Sequence, residues 1–156
     1  MSALIQAARP ITVRTAYFWD MRWIWIVISF FALPAVAQDI HVEISKIKHR
    51  EGELVVAIFD SQQSFLKKPL RVVRVPPDGD KVEAVFAGMA PGNYAISVFH
   101  DRNLNDVLDS NVLGIPQEGF GFSKNVMGFL GPPSFQSARF SVNTGDMALA
   151  IMLRHY

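Results

Sequence analysis

The sequence predicts an all-β fold: a seven-stranded Greek-key β-sandwich with one long ordered loop and a short helical turn after the second strand. Beyond Gln38, seven short segments show the apolar patterns of strands, and turn-forming residues separate them. The sequence contains no long amphipathic helix and no internal repeat. A small closed barrel is the alternative architecture.

The first two strands are predicted from their apolar residues. Ile40, Val42 and Ile44 alternate with polar residues, which is typical of a half-buried strand. A turn at Glu51-Gly52 precedes a more apolar strand from Leu54 to Phe59. We expect these two strands to form a hairpin.

The helical turn is predicted at residues 61–68. Ser61 is the expected N-cap, Phe65 and Leu66 are expected to face inward, and Pro69 stops the turn. Turn residues at 76–79, 90–93 and 143–146 separate the later strands. Those strands are predicted at residues 70–75, 82–86, 94–98, 140–142 and 147–153.

The N-terminal segment predicts export. Residues 21–37 combine a basic start at Arg22, an apolar run from Trp23 to Leu33 and the small-residue site Ala35-Val36-Ala37, as a signal peptide does. We expect cleavage between Ala37 and Gln38, a periplasmic or secreted protein, and a single β-sandwich domain at 38–156. An uncleaved membrane anchor is the alternative, although this apolar stretch is shorter than the roughly 20 residues of a spanning helix.

Residues 1–20 are a leader that resembles neither a signal nor a domain. Translation from Met21 would give a more ordinary signal peptide.

Composition excludes several classes of function. The formal net charge is +1 and no Lys/Arg cluster larger than Lys67-Lys68 is evident, so no nucleic-acid partner is expected. The absence of cysteine excludes disulfides, thiolate zinc sites and cysteine nucleophiles. No phosphate-binding loop, zinc motif or dinucleotide fingerprint occurs.

The segment from His100 to Gln136 has no strand or helix periodicity. Loops this long in small domains are usually functional or disordered. We expect the four phenylalanines of this segment to be buried, which favours order; they are Phe120, Phe122, Phe129 and Phe135. The segment is therefore predicted to be an ordered, functional loop.

Short oxygen side chains near the start of this loop suggest a calcium site. Asp101, Asn103, Asn105 and Asp109 stand at relative positions 1, 3, 5 and 9, as in the front half of an EF-hand loop, and the carbonyl of Val107 falls at position 7. Two positions depart from that motif, because Asp106 replaces its Gly and Val112 its bidentate Glu.

Glu118 is the candidate for the missing carboxylate. The alternative to a metal site is that the Asx side chains cap turns of their own backbone. Any calcium affinity is expected to be modest, at a dissociation constant of about 10⁻⁴ to 10⁻³ M, as in extracellular modules.

His100 and Asp101 are weak catalytic candidates at the end of the fifth strand. His100 is either a base or metal ligand, or a structural imidazole bonded to a carbonyl. Ser123 and Ser134 are available to a triad, but neither lies in a nucleophile elbow. We expect no enzymatic activity.

Several motifs resemble known families. Residues 86–94 are similar to the G-x-x-P-G-x-Y turn of transthyretin-like and carboxypeptidase-regulatory-like sandwiches, which implies a transthyretin-like or Ig-like arrangement. Most of the chain beyond Gln38 resembles an uncharacterised family of exported bacterial proteins, domain of unknown function 2141. The matching motifs lie at Val56–Asp60, Phe65, Ala90–Tyr94, Val98–Asp101, Asn103, Asn105, Asp109, Leu113–Pro116, Glu118–Ser123 and Gly131–Phe135. The resemblance implies a sandwich fold and export, and no established activity.

Three functional hypotheses follow. The first is a non-catalytic cell-envelope module that contacts a protein or glycan through its loop, which calcium orders. The second is a small hydrolase-like enzyme with His100 and Asp101 in a loop pocket. The third is a structural component of an envelope assembly.

Overall fold

The part of the chain that the structure describes folds into eight β-strands in two sheets. The computed structural model describes residues 37–129 and 131–156. In this part of the chain the strands are β1 (Gln38–Ser45), β2 (Glu53–Phe59), β3 (Arg71–Val75), β4 (Lys81–Met89), β5 (Gly92–Asp101), β6 (Phe120–Phe122), β7 (Phe140–Val142) and β8 (Met147–Met152). One sheet has the order β4-β1-β8; the other has the order β3-β2-β5-β6, with β7 also paired to β5. The predicted all-β, two-sheet fold is confirmed.

The core lies between the sheets because alternate residues of the strands point inward. Ile40, Val42 and Ile44 of β1 are fully buried, whereas Glu43 between them is exposed. The second sheet contributes Leu54, Val56, Ile58, Ile96 and Val98 to the same cluster. Each such side chain contributes roughly 1.5–3 kcal/mol when it is fully buried. These alternating positions are therefore a major source of stability.

The predicted hairpin between β1 and β2 is wrong. β1 pairs antiparallel with β4 and parallel with β8, whereas β2 pairs antiparallel with β3 and β5. The connection 46–52 carries the chain from one sheet to the other, and Ile47 within it is buried in the core. Periodicity predicts which residues face the core, but it does not predict which sheet a strand joins.

A second apolar cluster covers part of the outer face of the five-stranded sheet. Phe65 is its centre: its ring packs against Phe59 at a centroid distance of 5.3 Å, Phe135 at 5.8 Å and Phe122 at 6.4 Å. This cluster accounts for the burial of Ala57 and Phe59 on the outer face of β2. The expectation that Phe129 is buried is wrong, because its side chain is 97% exposed.

The segment 100–136 contains regular structure that periodicity does not predict. It holds β6, a 3₁₀ turn at Ser123–Asn125 and the start of helix α1 (Phe135–Ala138), which Ser134 caps by accepting from the N–H of Ser137. β6 has only three residues, too few to display a period. It is the strand that raises the total from seven to eight.

The side chain of Asn125 occupies the edge of β8. Its Nδ2 donates to the carbonyl oxygen of Ala150 at 3.1 Å, and its Oδ1 accepts from the N–H of Met152 at 2.7 Å. Lys124 and Asn125 both have positive φ, 61° and 53°, which turns this amide toward the strand. One side chain thereby satisfies two backbone groups that would otherwise face solvent.

The helical turn after β2 consists of hydrogen-bonded turns. The N–H of Phe65 donates to the carbonyl of Ser61 at 3.1 Å, and the N–H of Lys68 donates to the carbonyl of Ser64 at 2.9 Å. Phe65 is buried as expected, but Leu66 is 40% exposed, which contradicts its predicted inward orientation. Leu66 has a φ of 58°, and this left-handed conformation redirects its side chain.

The leader 1–20 and the predicted signal peptide, apart from Ala37, lie outside the described residues. Within 37–129 and 131–156, no helix has the length and apolar character needed to cross a membrane.

Candidate functional site

The candidate site is the loop between β5 and β6, residues 102–119. Backbone hydrogen bonds close its base: the N–H of His100 donates to the carbonyl of Gly119, and the N–H of Gln117 donates to that of Asp109, both at 2.8 Å. Its tip closes through a bridge between Ser110 and Pro116. The loop is therefore a continuous hydrogen-bonded structure.

Asp101 is fully buried and holds the first turn of the loop. Its Oδ1 accepts from the N–H of Asn105 at 3.1 Å, and its Oδ2 accepts from the N–H of Asp106 at 2.8 Å. Leu104 and Asp106 have φ values of 61° and 63°. Asp106 thus adopts the left-handed conformation that glycine usually supplies at the sixth position of an EF-hand loop.

Glu118 joins the two ends of this loop. It is only 4% exposed, and its Oε1 accepts from the N–H of Arg102 at 2.8 Å. Its Oε2 accepts from the N–H of Asp109 at 3.0 Å. Hydrogen bonds to a carboxylate are stronger than neutral ones, so one side chain ties together two points of the backbone.

Asn103, Asn105 and Asp109 form a polar cluster between these two carboxylates. The Oδ1 of Asn103 accepts from the N–H of Asn105 at 3.2 Å, and the Oδ1 of Asn105 accepts from the N–H of Val107 at 2.8 Å. Both are Asx turns. The two amide nitrogens donate to the carboxylate of Asp109, at 2.7 Å from Asn103 and 3.1 Å from Asn105.

Carboxylate and amide oxygens of this kind are suitable ligands for a hard cation such as calcium. In the structure, however, these oxygens already accept hydrogen bonds from backbone and amide N–H groups. Within the described ranges, no three His, Asp or Glu side chains are grouped so that they could hold a metal ion. The predicted ligand set also includes two amides and the carbonyl of Val107, which that observation does not cover. Calcium binding stays a prediction.

Arg74 supplies positive charge beside the loop. Its Nη2 lies 2.6 Å from the Oδ1 of Asp106, and its Nη1 lies 2.7 Å from the Oε1 of Glu53. Its hydrogen bond to Asp106, followed by that to Glu53, raises the pKa of Arg74. The ion pair connects the loop to the edge strand β3, although exposed pairs of this kind contribute little to stability.

His100 and Asp101 do not form an accessible catalytic pair. His100 is fully buried; its Nε2 lies 2.8 Å from the carbonyl oxygen of Glu51, and its Nδ1 has no partner among the described residues. The carboxylate of Asp101 is occupied by two backbone N–H groups. This arrangement corresponds to the structural interpretation of His100, a strand-end imidazole bonded to a loop carbonyl.

Ser123 is also structural. β5 pairs with β7 at residues 92–94 and with β6 at 97–99, which leaves Ile96 between the two ladders. The Oγ of buried Ser123 accepts from the N–H of Ile96 at 3.0 Å and donates to the carbonyl of Ala138 at 2.7 Å. Ser134 caps α1. Neither serine contacts His100 in these hydrogen bonds.

Sequence reasoning missed an apolar groove of about 990 Å³ on the outer face of the five-stranded sheet. Val55, Ala57 and Phe99 of that sheet line it, together with Leu113 and Ile115 of the loop. The signal that could have found it is the unbroken apolar run Leu54–Phe59, because a strand without alternation needs cover on both faces.

Comparison with known proteins matches the chain to one protein family, and that family is described as uncharacterised. No curated protein and no solved structure matches the chain, so the transthyretin-like arrangement stays a prediction. The family described as "Uncharacterized protein conserved in bacteria (DUF2141)" matches residues 42–150, a range that contains the entire candidate loop. Because this match covers more than half of the chain, the protein belongs to the DUF2141 family.

Proposed function

We propose that this protein is an exported, non-catalytic module of the bacterial cell envelope that contacts a partner protein through the Asp101–Glu118 loop. The observation that carries the proposal is the construction of the loop. Its buried carboxylates hold a closed backbone, and its outward side chains include aliphatic ones among polar neighbours such as Asn103 and Asp106: Leu104 is 63% exposed, Val107 58% and Val112 102%. Exposed apolar side chains on a fixed loop are typical of protein contact sites.

A protein is favoured over a glycan as the partner because these outward residues are aliphatic. Sugars are recognised largely through hydroxyl hydrogen bonds, which Leu and Val side chains do not offer. Burial of aliphatic side chains against a partner protein would contribute about 25 cal/mol for each Å² removed from water.

Calcium is the proposed ordering ion. A cation at Asp109 would have to compete with the amide nitrogens of Asn103 and Asn105, and one at Asp101 or Glu118 with backbone N–H groups. That competition favours the weak affinity of extracellular modules, with a dissociation constant of about 10⁻⁴ to 10⁻³ M. At 10 mM calcium the folded state would then gain about 1.4–2.7 kcal/mol.

Thermal unfolding with 10 mM calcium or with chelator tests whether the protein binds calcium. We expect calcium to raise the Tm of the wild type by several degrees and magnesium to raise it less. Asp109→Ala should abolish the calcium effect, whereas Asp78→Asn, which removes an exposed carboxylate from the turn between β3 and β4, should preserve it. An unchanged Tm of the wild type at 10 mM calcium would contradict the proposed calcium binding.

The mass of the N-terminal peptide of the exported protein tests processing. A first residue of Gln38 is expected, and retention of residues 21–37 would contradict the signal-peptide prediction.

Photo-crosslinking in intact cells tests whether the loop contacts a partner protein. A photoreactive residue at Val112 should give one discrete protein adduct, whereas the same residue at exposed Ala87, on β4 of the other sheet, should give none. Equal labelling from both positions, or none from Val112, would contradict the proposed contact.

A further inference from the structure

The apolar groove lies beside the loop, and loop residues Leu113 and Ile115 form part of its wall. Its floor is the outer face of the five-stranded sheet, and Leu66, Leu113 and Phe129 border it with exposures of 40%, 79% and 97%. Its volume of about 990 Å³ lies at the upper end of the range of roughly 300–1,000 Å³ for sites that hold organic ligands.

The groove favours a hydrocarbon over a peptide or a sugar. The backbone groups of its floor are already paired in the ladders of β2 with β3 and β5, and of β5 with β6. Of its six polar lining residues, Arg74 and Asp106 pair with each other; the other four are Lys67, Ser97, Ser110 and Tyr156. A peptide backbone or sugar hydroxyl placed over the apolar floor formed by Val55, Ala57 and Phe99 would leave polar groups without hydrogen bonds, at about 1–3 kcal/mol each. A methylene chain has no such groups.

One cation on the border of the groove suggests the head group of the ligand. Lys67 lines the groove and is exposed. Its ammonium makes no ion pair within the described ranges, whereas Arg74 makes two. An anionic group above an apolar chain would therefore complement Lys67.

We propose that this groove binds a single long acyl chain with an anionic head group, the chain lying over Val55, Ala57 and Phe99 and the head lying near Lys67. A free fatty acid and a lysophospholipid share this chemistry. Such a ligand would cover the exposed faces of Leu113 and Phe129. It would therefore account for the presence of two large apolar side chains at the protein surface. The groove requires neither calcium nor the partner contact proposed above.

The proposal is tested by displacement of the fluorescent fatty acid cis-parinaric acid. The protein is purified after any processing by the cell and is then stripped of bound lipid. Saturated carboxylates of 12, 14 and 16 carbons are expected to displace the probe with an affinity that rises by up to about fourfold per methylene. Palmitate and palmitoyl-lysophosphatidylglycerol, compared directly, identify the source of the chain. Failure of all these ligands to displace the probe, or an affinity independent of chain length, would overturn the proposal.

Two pairs of neighbouring residues provide matched variants. Leu113→Asp is expected to weaken every ligand at least tenfold, whereas Val112→Asp, at a neighbouring and more exposed residue that does not line the groove, should leave affinity unchanged. Circular dichroism checks that each variant is folded. Equal affinities of L113D and V112D would place the ligand elsewhere and refute the site.

The second pair tests the head group. Lys67→Gln should weaken palmitate by up to about fivefold, as expected for an exposed ion pair, and should leave uncharged hexadecanol unaffected. Lys68→Gln, which changes a neighbouring lysine that does not line the groove, should alter neither ligand. Equal effects of K67Q on palmitate and hexadecanol would contradict the role of Lys67.

Discussion

Replacing Glu118 by glutamine tests how the candidate loop is held together. The carboxylate of Glu118 is 4% exposed and accepts one hydrogen bond on each oxygen, from Arg102 at 2.8 Å and from Asp109 at 3.0 Å. Glutamine has nearly the same shape but only one acceptor oxygen. Its NH₂ group would face a backbone N–H that also donates, so one buried donor would lose its partner.

The structure sets the expected magnitude. A hydrogen bond to a charged acceptor contributes about 1.5–3 kcal/mol, and an unsatisfied buried donor costs a similar amount. We therefore expect Glu118→Gln to lower the free energy of unfolding by about 2–3 kcal/mol. For a domain of this size, the corresponding fall in Tm is roughly 5–15 °C.

Urea unfolding followed by far-ultraviolet circular dichroism measures this change. The midpoint concentration should fall while the m-value stays constant, because the surface exposed on unfolding is the same. Asp78→Asn is the matched control: it also neutralises a carboxylate, but in an exposed turn, and it should stay within about 0.5 kcal/mol of the wild type. A Glu118→Gln variant as stable as this control would refute the role of Glu118 in closing the loop.

Three further substitutions test other contacts. Gly52→Ala should destabilise the protein far more than Gly88→Ala in urea titrations. Both glycines have positive φ, but a Cβ at Gly52 would lie 1.9 Å from the carbonyl oxygen of Asp101, whereas one at Gly88 meets nothing within 4 Å; equal losses would contradict the steric argument. Ser123→Ala should cost about 2–5 kcal/mol in the same assay because it leaves Ile96 N–H and Ala138 C=O unpaired, while Ser141→Ala, which removes an exposed hydrogen bond, should cost less than about 1 kcal/mol. His155→Gln should change the pH dependence of stability: burial lowers the pKa of His155 below 6.5, so its neutral form stabilises the fold above that pH, and this contribution is lost on acidification. The difference in unfolding free energy between wild type and H155Q should therefore shrink from pH 7.5 to pH 5, and a difference that grows would be the contrary result.

The strands were largely predictable because burial follows a two-residue period. Ile40, Val42 and Ile44 lie in the core as their spacing predicts. The pairing of β1 with β4 and β8 was not predictable in this way, because it depends on contacts between residues far apart in the chain. β6 was missed for a different reason: Phe120–Phe122 is short, and its pairing with β5 is a tertiary contact.

The candidate loop was predictable in composition but not in hydrogen bonding. The spacing of the predicted ligands brings the side chains of Asn103, Asn105 and Asp109 into contact, while the carboxylate of Asp101 accepts from the backbone N–H of Asn105. Spacing alone does not distinguish an oxygen that binds a cation from one that accepts a backbone N–H, because Asx side chains do both. Glu118 lies beside Asp109 in the fold, next to the backbone hydrogen bond from Gln117 to Asp109, a tertiary contact that spacing does not predict.

The amide of Asn125 has a consequence for how copies of this protein meet in a crowded compartment. A strand from another molecule that approached β8 would have to displace the hydrogen bonds to Ala150 and Met152 before it could add to the sheet. The 3₁₀ turn Ser123–Asn125, which contains the bend that presents the amide, also packs against β8. This side of the molecule is therefore protected from strand-by-strand polymerisation without a proline or a charged side chain in β8 itself.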